Sequence, residues 1–313
     1  MNASTPTLAD TGPVIQVQGV ARHYGAVHAV DGVDLAIAHG ELFGLIGHNG
    51  AGKSTLFKMM LGLVRPTRGS VRIAGVEVGG GDFRAVRRRI GYLPENVVFY
   101  DNLSGYETLR FFARLKGANE GECFGLLERV GLAQAARRRL REYSKGMRQR
   151  LGLAQALLGN PRILFLDEPT TGLDPEGIRD FYAILLALKD AGATIVLTSH
   201  ILAEIQQRVD RLAIMADGRV RAVGSVPALR AERDLPVRIT VGVAPGVHGD
   251  VRTALAVLPV ALRDVDTSTL EVAVPRALKL DVLALLTAAG PAVRDIDIHE
   301  ATLEEVFFGE EAV

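Results

Sequence analysis

The stretch GHNGAGKST at residues 47–55 restricts the possible folds of this chain more than any other. An apolar strand-like run, ELFGLI, precedes it, and STLFKMMLGLV follows with helical spacing. Glycines at such a junction let backbone N–H groups surround phosphates, and the helix N-terminus adds positive potential. We expect Lys53 to reach the β- and γ-phosphates and Ser54 to hold Mg²⁺. The predicted phosphate-binding residues are Gly47, His48, Asn49, Gly50, Ala51, Gly52, Lys53, Ser54 and Thr55.

Polar residues follow two other apolar, strand-like runs. ILFLDEP places Asp167 and Glu168 at the end of one run, and VLTSH places His200 at the end of the next. Ligands of parallel sheets bind at the carboxyl ends of strands. We expect Asp167 to bind Mg²⁺ through water and Glu168 to polarise the attacking water. His200 is expected to donate a hydrogen bond to the γ-phosphate or to that water.

Strand-like and helical patterns alternate through the first 235 residues. VIQVQGV and VDLAIAHG read as strands, and residues 103–159 are largely helical in pattern. This alternation predicts an α/β core with a parallel sheet. Residues 1–13 are expected to form a disordered tail, and residues 14–235 the nucleotide-binding domain.

The pattern changes near Pro236. Residues 236–313 read as β-α-β-β-α-β, which is typical of a small α+β ferredoxin-like domain. The final TLEEVFF is expected to begin with a capping box formed by Thr302 and Glu305.

Composition excludes several functional classes. The 36 basic and 36 acidic residues balance, which disfavours a nucleic-acid partner. The single cysteine, Cys123, suits a reducing compartment. The polar N-terminus lacks a signal-peptide pattern, and we see no run approaching the ~20 apolar residues that span a bilayer. The chain is therefore expected to be soluble and to reach a membrane only through a partner. The seven histidines show no metal-ligand spacing, so no transition-metal site is expected.

In their order along residues 14–230, these motifs resemble the ATP-binding subunits of ABC transporters. The resemblance implies a P-loop NTPase core of the ABC type, with a helical subdomain at about residues 97–160, that binds and hydrolyses ATP with Mg²⁺. It matches Tyr24 to the adenine-stacking aromatic, and Glu95 to a glutamine that contacts magnesium and the membrane partner. Ser144 and Gly146 match the signature loop in YSKGMRQR. The dimer-contact loop is matched by Gly172, Leu173 and Asp174.

The resemblance also implies an assembly. Two ATPase domains pack head to tail as a homodimer, and the signature loop of one closes over the γ-phosphate held by the other. The dimer drives an integral membrane permease subunit, which places the chain in the cytoplasm, peripheral on the inner membrane.

Three positions depart from the family pattern. Lys145 and Met147 replace a small residue and a glutamine of the usual signature, and Glu95 replaces the usual glutamine. Lys145 could add charge toward a phosphate or be a solvated side chain. Glu95 can hold Mg²⁺ through water but, as a carboxylate, cannot donate a hydrogen bond. We expect an active ATPase whose turnover these changes could lower.

A compact ATPase followed by a small domain ending in TLEEVFF is similar to subunits that serve ABC-2-type membrane partners. Within that group, residues 91–117 and 143–159 resemble the ATPases of transporters that assemble the copper site of nitrous oxide reductase. That resemblance implies a periplasmic accessory protein as a further partner. The alternative to a role in copper-site assembly is an ABC-2 exporter of drugs, lipids or polysaccharide. A soluble ABC-type ATPase of translation or DNA repair fits less well, because the extra domains of such proteins are not seen. A regulator without turnover fits less well, because Glu168 and His200 are present.

Overall fold

The computed structural model describes residues 12–232, 236–300 and 307. The chain divides into two compact units, residues 1–225 and 226–313. The division lies at residue 226, whereas the composition change predicts residue 236. The difference comes from one short helix, Val226–Glu232, which groups with the second unit. Most of the predicted tail, residues 1–11, and the predicted capping box of Thr302 and Glu305 lie outside the described residues.

The first unit contains ten strands in the described part of the chain. They are β1 (Ile15–Tyr24), β2 (Val27–Ile37), β3 (Leu42–Ile46), β4 (Arg68–Ile73), β5 (Val76–Glu77), β6 (Ile90–Leu93), β7 (Ile163–Leu166), β8 (Thr194–Ser199), β9 (Arg211–Ala216) and β10 (Arg219–Gly224). Its α-helices are α1 (Lys53–Met60), α2 (Phe83–Arg87), α3 (Gly105–Lys116), α4 (Cys123–Arg129), α5 (Lys145–Leu157), α6 (Pro175–Asp190) and α7 (Leu202–Ile205).

Two sheets organise the first unit. The larger has the order β10-β9-β3-β8-β7-β6, parallel except for the antiparallel edge strand β10. The smaller, β2-β1-β4-β5, is antiparallel. Strands β3, β7 and β8 are buried along their whole length, as expected for strands covered on both faces. Phe43, Phe57 and Phe165 belong to the core that α1 and the sheets share.

The strand register brings four carboxyl ends to one edge of the larger sheet. Ile46 lies opposite Ser199, and Leu93 lies opposite Leu166. The segments that follow β3, β6, β7 and β8 therefore emerge side by side. These segments begin at Gly47, Pro94, Asp167 and His200. The predicted α/β core is confirmed, and the polar ends of its strands lie at one edge of the sheet.

Helices α3, α4 and α5 form the helical part of the first unit. Ser104 caps α3 in a capping box with Glu107, each side chain bonding the backbone N–H of the other. The Tyr143 hydroxyl, just before α5, donates to the Ala135 carbonyl over 2.8 Å. A Cβ at Gly105 would lie 2.2 Å from that hydroxyl, so a glycine is needed there for α3 to pack against Tyr143.

The second unit contains α8 (Val226–Glu232), β11 (Val237–Val243), α9 (His248–Leu255), β12 (Ala261–Asp264), β13 (Thr269–Val274), α10 (Lys279–Ala288) and β14 (Val293–His299). Its sheet has the order β12-β13-β11-β14, with every neighbouring pair antiparallel. Alternate residues of β11 and β13 point into a core of valine, leucine and isoleucine. The sequence-predicted β-α-β-β-α-β order is present, with the strand arrangement of a ferredoxin-like sheet.

Candidate nucleotide site

The phosphate loop lies between β3 and α1, as its sequence predicts. Gly52 is the N-terminal cap of α1 and has a φ of 99°, a conformation that only glycine adopts without strain. A Cβ at Gly52 would lie 2.3 Å from the Ala29 carbonyl oxygen, and one at Gly47 would lie 2.3 Å from that of Met215. Close backbone approach thus requires glycine at position 47, a positive φ favours it at position 50, and both reasons apply at position 52.

An open cavity of about 480 Å³ lies over this loop. Its volume is in the range of small-molecule sites. The predicted residues that line it are Asn49, Gly50, Ala51, Gly52, Lys53, Ser54, Thr55, Glu95, Glu168 and His200. Sequence reasoning missed six further lining residues, Val27, His28, Ala29, Thr171, Asp217 and Gly218. They come from the β1–β2 hairpin, the segment after β7 and the β9–β10 turn, which no local motif marks.

Lys53 is buried at the base of the loop, and its ammonium donates to the carbonyls of Gly47 and His48. Its Nζ also lies 3.8 Å from Glu168 Oε1. Burial lowers the pKa of Lys53, and the negative charge of Glu168 acts in the opposite direction. A partly desolvated ammonium interacts strongly with a phosphate, since little water screens it.

Asp167 and Glu168 are tied together by a residue that the motif analysis missed, Thr198 on β8. The fully buried Thr198 hydroxyl donates to Asp167 Oδ1 over 2.7 Å and accepts from the Glu168 backbone N–H over 2.8 Å. Burial raises the pKa of Asp167, and the hydrogen bond from Thr198 opposes that rise. A threonine hydroxyl directly after the apolar centre of β8, near the end of the strand, is the sequence signal that could have pointed to this role.

Glu168 has a φ of 46°, in the left-handed region that a glutamate rarely adopts. Strained backbone of this kind clusters at functional sites, where the surrounding structure holds it. Its Oε2 lies 2.8 Å from Nδ1 of His200. The structure therefore brings the acidic strand end and the histidine into direct contact.

Tyr24 lies outside the cavity lining among the described residues. It is 47% exposed, at the end of β1, and the Arg22 guanidinium stacks on its ring at 4.5 Å. Gly47, His48 and Asp167 also lie outside the lining, Asp167 because it is buried behind it. The adenine-stacking role of Tyr24 stays a prediction.

The oxygen donors near the loop suit Mg²⁺, which prefers carboxylate and hydroxyl ligands over nitrogen or sulfur. Ser54 and Glu95 line the cavity, and Asp167 lies beneath it. Asp167 and Glu95 both act electrostatically on Lys53 and on Tyr92, so the two carboxylates share one neighbourhood. These residues fit the predicted magnesium-binding role.

The remaining predicted residues line a second, separate cavity of about 460 Å³ between the starts of α5 and α6. Ser144 caps α5 and accepts from the Met147 N–H, as its position in the sequence predicts. Asp174 caps α6 by accepting from the Gly177 N–H over 2.9 Å. Lys145 lies over Gly172, where a Cβ would come within 2.0 Å of its ammonium nitrogen. The predicted residues that line this cavity are Ser144, Lys145, Gly146 and Asp174.

A glycine-rich loop at a strand-to-helix turn, with carboxylates and a histidine on the same sheet edge, defines a P-loop nucleotide-binding domain. Comparison with known proteins identifies the family. Residues 30–171 match the family model described as ABC transporter. The chain belongs to the family of ABC transporter ATP-binding proteins.

Two relatives match this chain over nearly the whole length of both proteins. The daunorubicin resistance ATP-binding protein DrrA3 of Streptomyces coeruleorubidus is 38% identical over 308 residues, which are 96% of each chain. The daunorubicin/doxorubicin resistance ATP-binding protein DrrA of Streptomyces peucetius is 36% identical over 301 residues, covering 94% of this chain and 91% of the relative.

A solved dimeric ATP-binding cassette in a post-hydrolysis state, bound to ADP and phosphate, is 25% identical to this chain. The match has a TM-score of 0.61 and covers 68% of this chain and 98% of the solved chain. ATP-binding domains of this family form dimers and work with membrane permease subunits. No helix in the described ranges is both long enough and apolar enough to cross a bilayer.

Proposed function

We propose that this chain is the Mg²⁺-dependent ATPase subunit of an ABC-2-type exporter of drug-like molecules. The observation that carries the proposal is the full-length similarity to DrrA3, which extends through the second unit rather than stopping at the ATP-binding domain. The shared architecture suggests a shared kind of membrane partner. The names of both relatives refer to drug resistance.

The geometry supports ATP hydrolysis in this role. Lys53 and the loop N–H groups hold the phosphates, and Ser54, Glu95 and Asp167 hold Mg²⁺, which neutralises phosphate charge when bound. Glu168 accepts a proton from the attacking water, and His200, 2.8 Å from Glu168, positions that carboxylate and the γ-phosphate. Tyr24 is expected to stack on adenine, as the family resemblance implies.

The partners in this proposal are a second copy of the chain and an integral membrane permease. The chain lies on the cytoplasmic face of the membrane, and the permease selects the cargo. The resemblance to ATPases that assemble the copper site of nitrous oxide reductase remains the second candidate, with a periplasmic accessory protein as its further partner. The names of the full-length relatives favour drug export over copper-site assembly.

A chromosomal Lys53→Ala replacement in the native host tests the proposal against this second candidate. Intracellular accumulation of daunorubicin and reduction of nitrous oxide are measured in the same cells, with His39→Ala, at an exposed residue outside the site, as the matched control. Increased drug accumulation with normal nitrous oxide reduction supports the exporter. Normal accumulation with a reductase that lacks its copper site overturns it in favour of the maturation role.

A further inference from the structure

Two histidines and an aspartate outside the nucleotide chemistry lie together on the β1–β2 hairpin. His23 and His28 are cross-strand partners, and Asp31 follows on β2. One ligand atom from each of the three residues lies within 4.8 Å of the other two. The spacing of the histidines in the sequence does not indicate this cluster, so the sequence-based expectation of no transition-metal site missed it.

A β-bulge produces the cluster. Arg22 pairs with Val30, but the next residue of β1, His23, pairs with His28, which leaves Ala29 as an extra residue on β2. In a regular strand, residues three apart point to opposite faces. The extra residue reverses that alternation, so His28 and Asp31 share a face with His23. A feature that re-aims side chains in this way is typical of functional positions.

The two imidazoles are only partly satisfied by the protein. His23 Nε2 is buried and has no hydrogen-bond partner, a costly condition for a polar atom. The rings of His23 and His28 stack with centroids 3.9 Å apart and planes 13° apart. Because the rings are stacked face to face, at least one imidazole must rotate before both can bind the same ion.

Asp31 is held in place as a metal-binding carboxylate usually is. Arg219 donates to Oδ2 over 2.7 Å, whereas Oδ1 has only a 3.7 Å contact with Arg68. The hydrogen bond from Arg219 lowers the pKa of Asp31, so this carboxylate is charged at neutral pH. Partners of this kind around a ligand fix its orientation and support metal affinity.

We propose that His23, His28 and Asp31 form a binding site for a divalent transition-metal ion of the zinc type. Two imidazoles and one carboxylate favour zinc over Mg²⁺ or Ca²⁺, which prefer all-oxygen sites. Three protein ligands leave a fourth position for water or another group. The ion bridges β1 to β2 and satisfies the buried His23 Nε2.

The location suggests a consequence for ATP binding, which rests on the proposed function. His28 lines the nucleotide cavity together with Val27 and Ala29, and Tyr24 lies at the adjoining end of β1. An ion that fixes this hairpin changes the position of Tyr24 and thereby the affinity for ATP. Zinc binding requires no nucleotide. A measurement of zinc binding can therefore contradict the zinc site without bearing on the proposed ATPase, and the reverse also holds.

Isothermal titration of Zn²⁺ into the full-length, tag-free protein tests the site, in excess Mg²⁺ to occupy the oxygen ligands near the phosphate loop. Co²⁺ provides an absorption spectrum of the same ligand set. The variants are His28→Ala, at an exposed residue, and Asp31→Asn, which keeps an oxygen acceptor for Arg219. His39→Ala and His200→Ala are the matched controls, and circular dichroism verifies folding of all four.

We expect one Zn²⁺ per chain in the unmodified protein and in both controls. Loss of one ligand should weaken binding by at least about ten-fold, in both His28→Ala and Asp31→Asn. The Co²⁺ spectrum should change in the same two variants only. Unchanged zinc affinity in His28→Ala, no zinc binding by the unmodified protein, or loss of binding in His200→Ala alone would each overturn the proposal.

Discussion

Glu168 combines a strained backbone, low exposure and a histidine partner at a single position. Its side chain is 12% exposed, Oε2 lies 2.8 Å from His200 Nδ1, and its backbone N–H is fixed by Thr198. A carboxylate held this firmly can accept a proton from water without first reorganising. These properties suit a general base better than a turn-forming residue, which is the ordinary role of an acidic residue after a strand.

Replacing Glu168 with glutamine should therefore stop hydrolysis without preventing ATP binding. The amide keeps the size of the side chain but cannot accept the proton, and loss of a general base lowers rates by about 10²–10⁴-fold. Phosphate release gives the rate, and equilibrium binding of a fluorescent ATP analogue gives the affinity. Glu128→Gln, an exposed change on α4, is the control. A rate within a few-fold of the unmodified protein would assign the base elsewhere.

When Mg²⁺ is absent, burial disfavours the charged form of the Asp167 carboxyl. Burial therefore raises the pKa of this group above the ordinary value of 3.8. A carboxyl with a raised folded-state pKa contributes stability below its unfolded pKa, and that contribution is lost as pH rises through the folded pKa. Ionised Asp167 is then destabilising at neutral pH. Asparagine removes the charge and keeps an oxygen to accept from Thr198.

Metal-free Asp167→Asn should accordingly be more stable than the unmodified protein at pH 7. The difference should shrink as pH falls toward the ordinary pKa. Urea unfolding followed by circular dichroism, across a pH series with chelator, measures it. Added Mg²⁺ and ATP should stabilise the unmodified protein more than Asp167→Asn, because the variant lacks one magnesium ligand. A stability difference that does not vary with pH would refute this electrostatic account.

At the scale of elements, two helices in the described part of the first unit start with a serine cap. Ser104 caps α3 and Ser144 caps α5, each accepting an N–H hydrogen bond at 3.2 Å. Ser144 also lines the second cavity. Loss of either cap should cost about 0.5–2 kcal/mol of stability, because a helical N–H loses its acceptor.

Only Ser144→Ala should lower ATPase activity beyond that shared loss of stability. The Ser144 hydroxyl is predicted to contact a γ-phosphate, whereas the Ser104 hydroxyl makes the hydrogen bonds of its capping box. Thermal unfolding and steady-state ATPase assays on both variants separate the two effects. Equal activity losses in the two variants would mean that Ser144 acts only as a helix cap.

The elements were largely predictable because each carries a local signal. The phosphate loop has a strand before it and a helix after it, and the alternation in β11 and β13 marks strands with one buried face. Thr198 was missed because its role arises only when β7 and β8 pair. His28 and Asp31 were missed because a bulge brings them to one face. Contacts set by register or by a bulge leave no periodic pattern in the sequence.

At the scale of the whole molecule, the nucleotide cavity and the cavity at the starts of α5 and α6 each hold only part of the predicted ATP site. The phosphate loop lines one, and the predicted signature residues line the other. An isologous dimer would place the signature of each chain over the phosphates of its partner and create two equal sites. This arrangement explains why a capped helix start, with free N–H groups, lines a cavity away from the phosphate loop.

A chain that binds ATP but cannot hydrolyse it should therefore accumulate as a dimer. With Mg·ATP, Glu168→Gln should have twice the monomer mass by size-exclusion chromatography with light scattering, and Lys53→Ala should stay monomeric. The informative variant adds Gly146→Asp to Glu168→Gln. A Cβ at Gly146 meets only ordinary contacts, so the chain should fold and still bind ATP at its own loop. The added carboxylate should repel the partner's γ-phosphate and keep the chains apart. A dimer that persists in this double variant would place the interface on another surface.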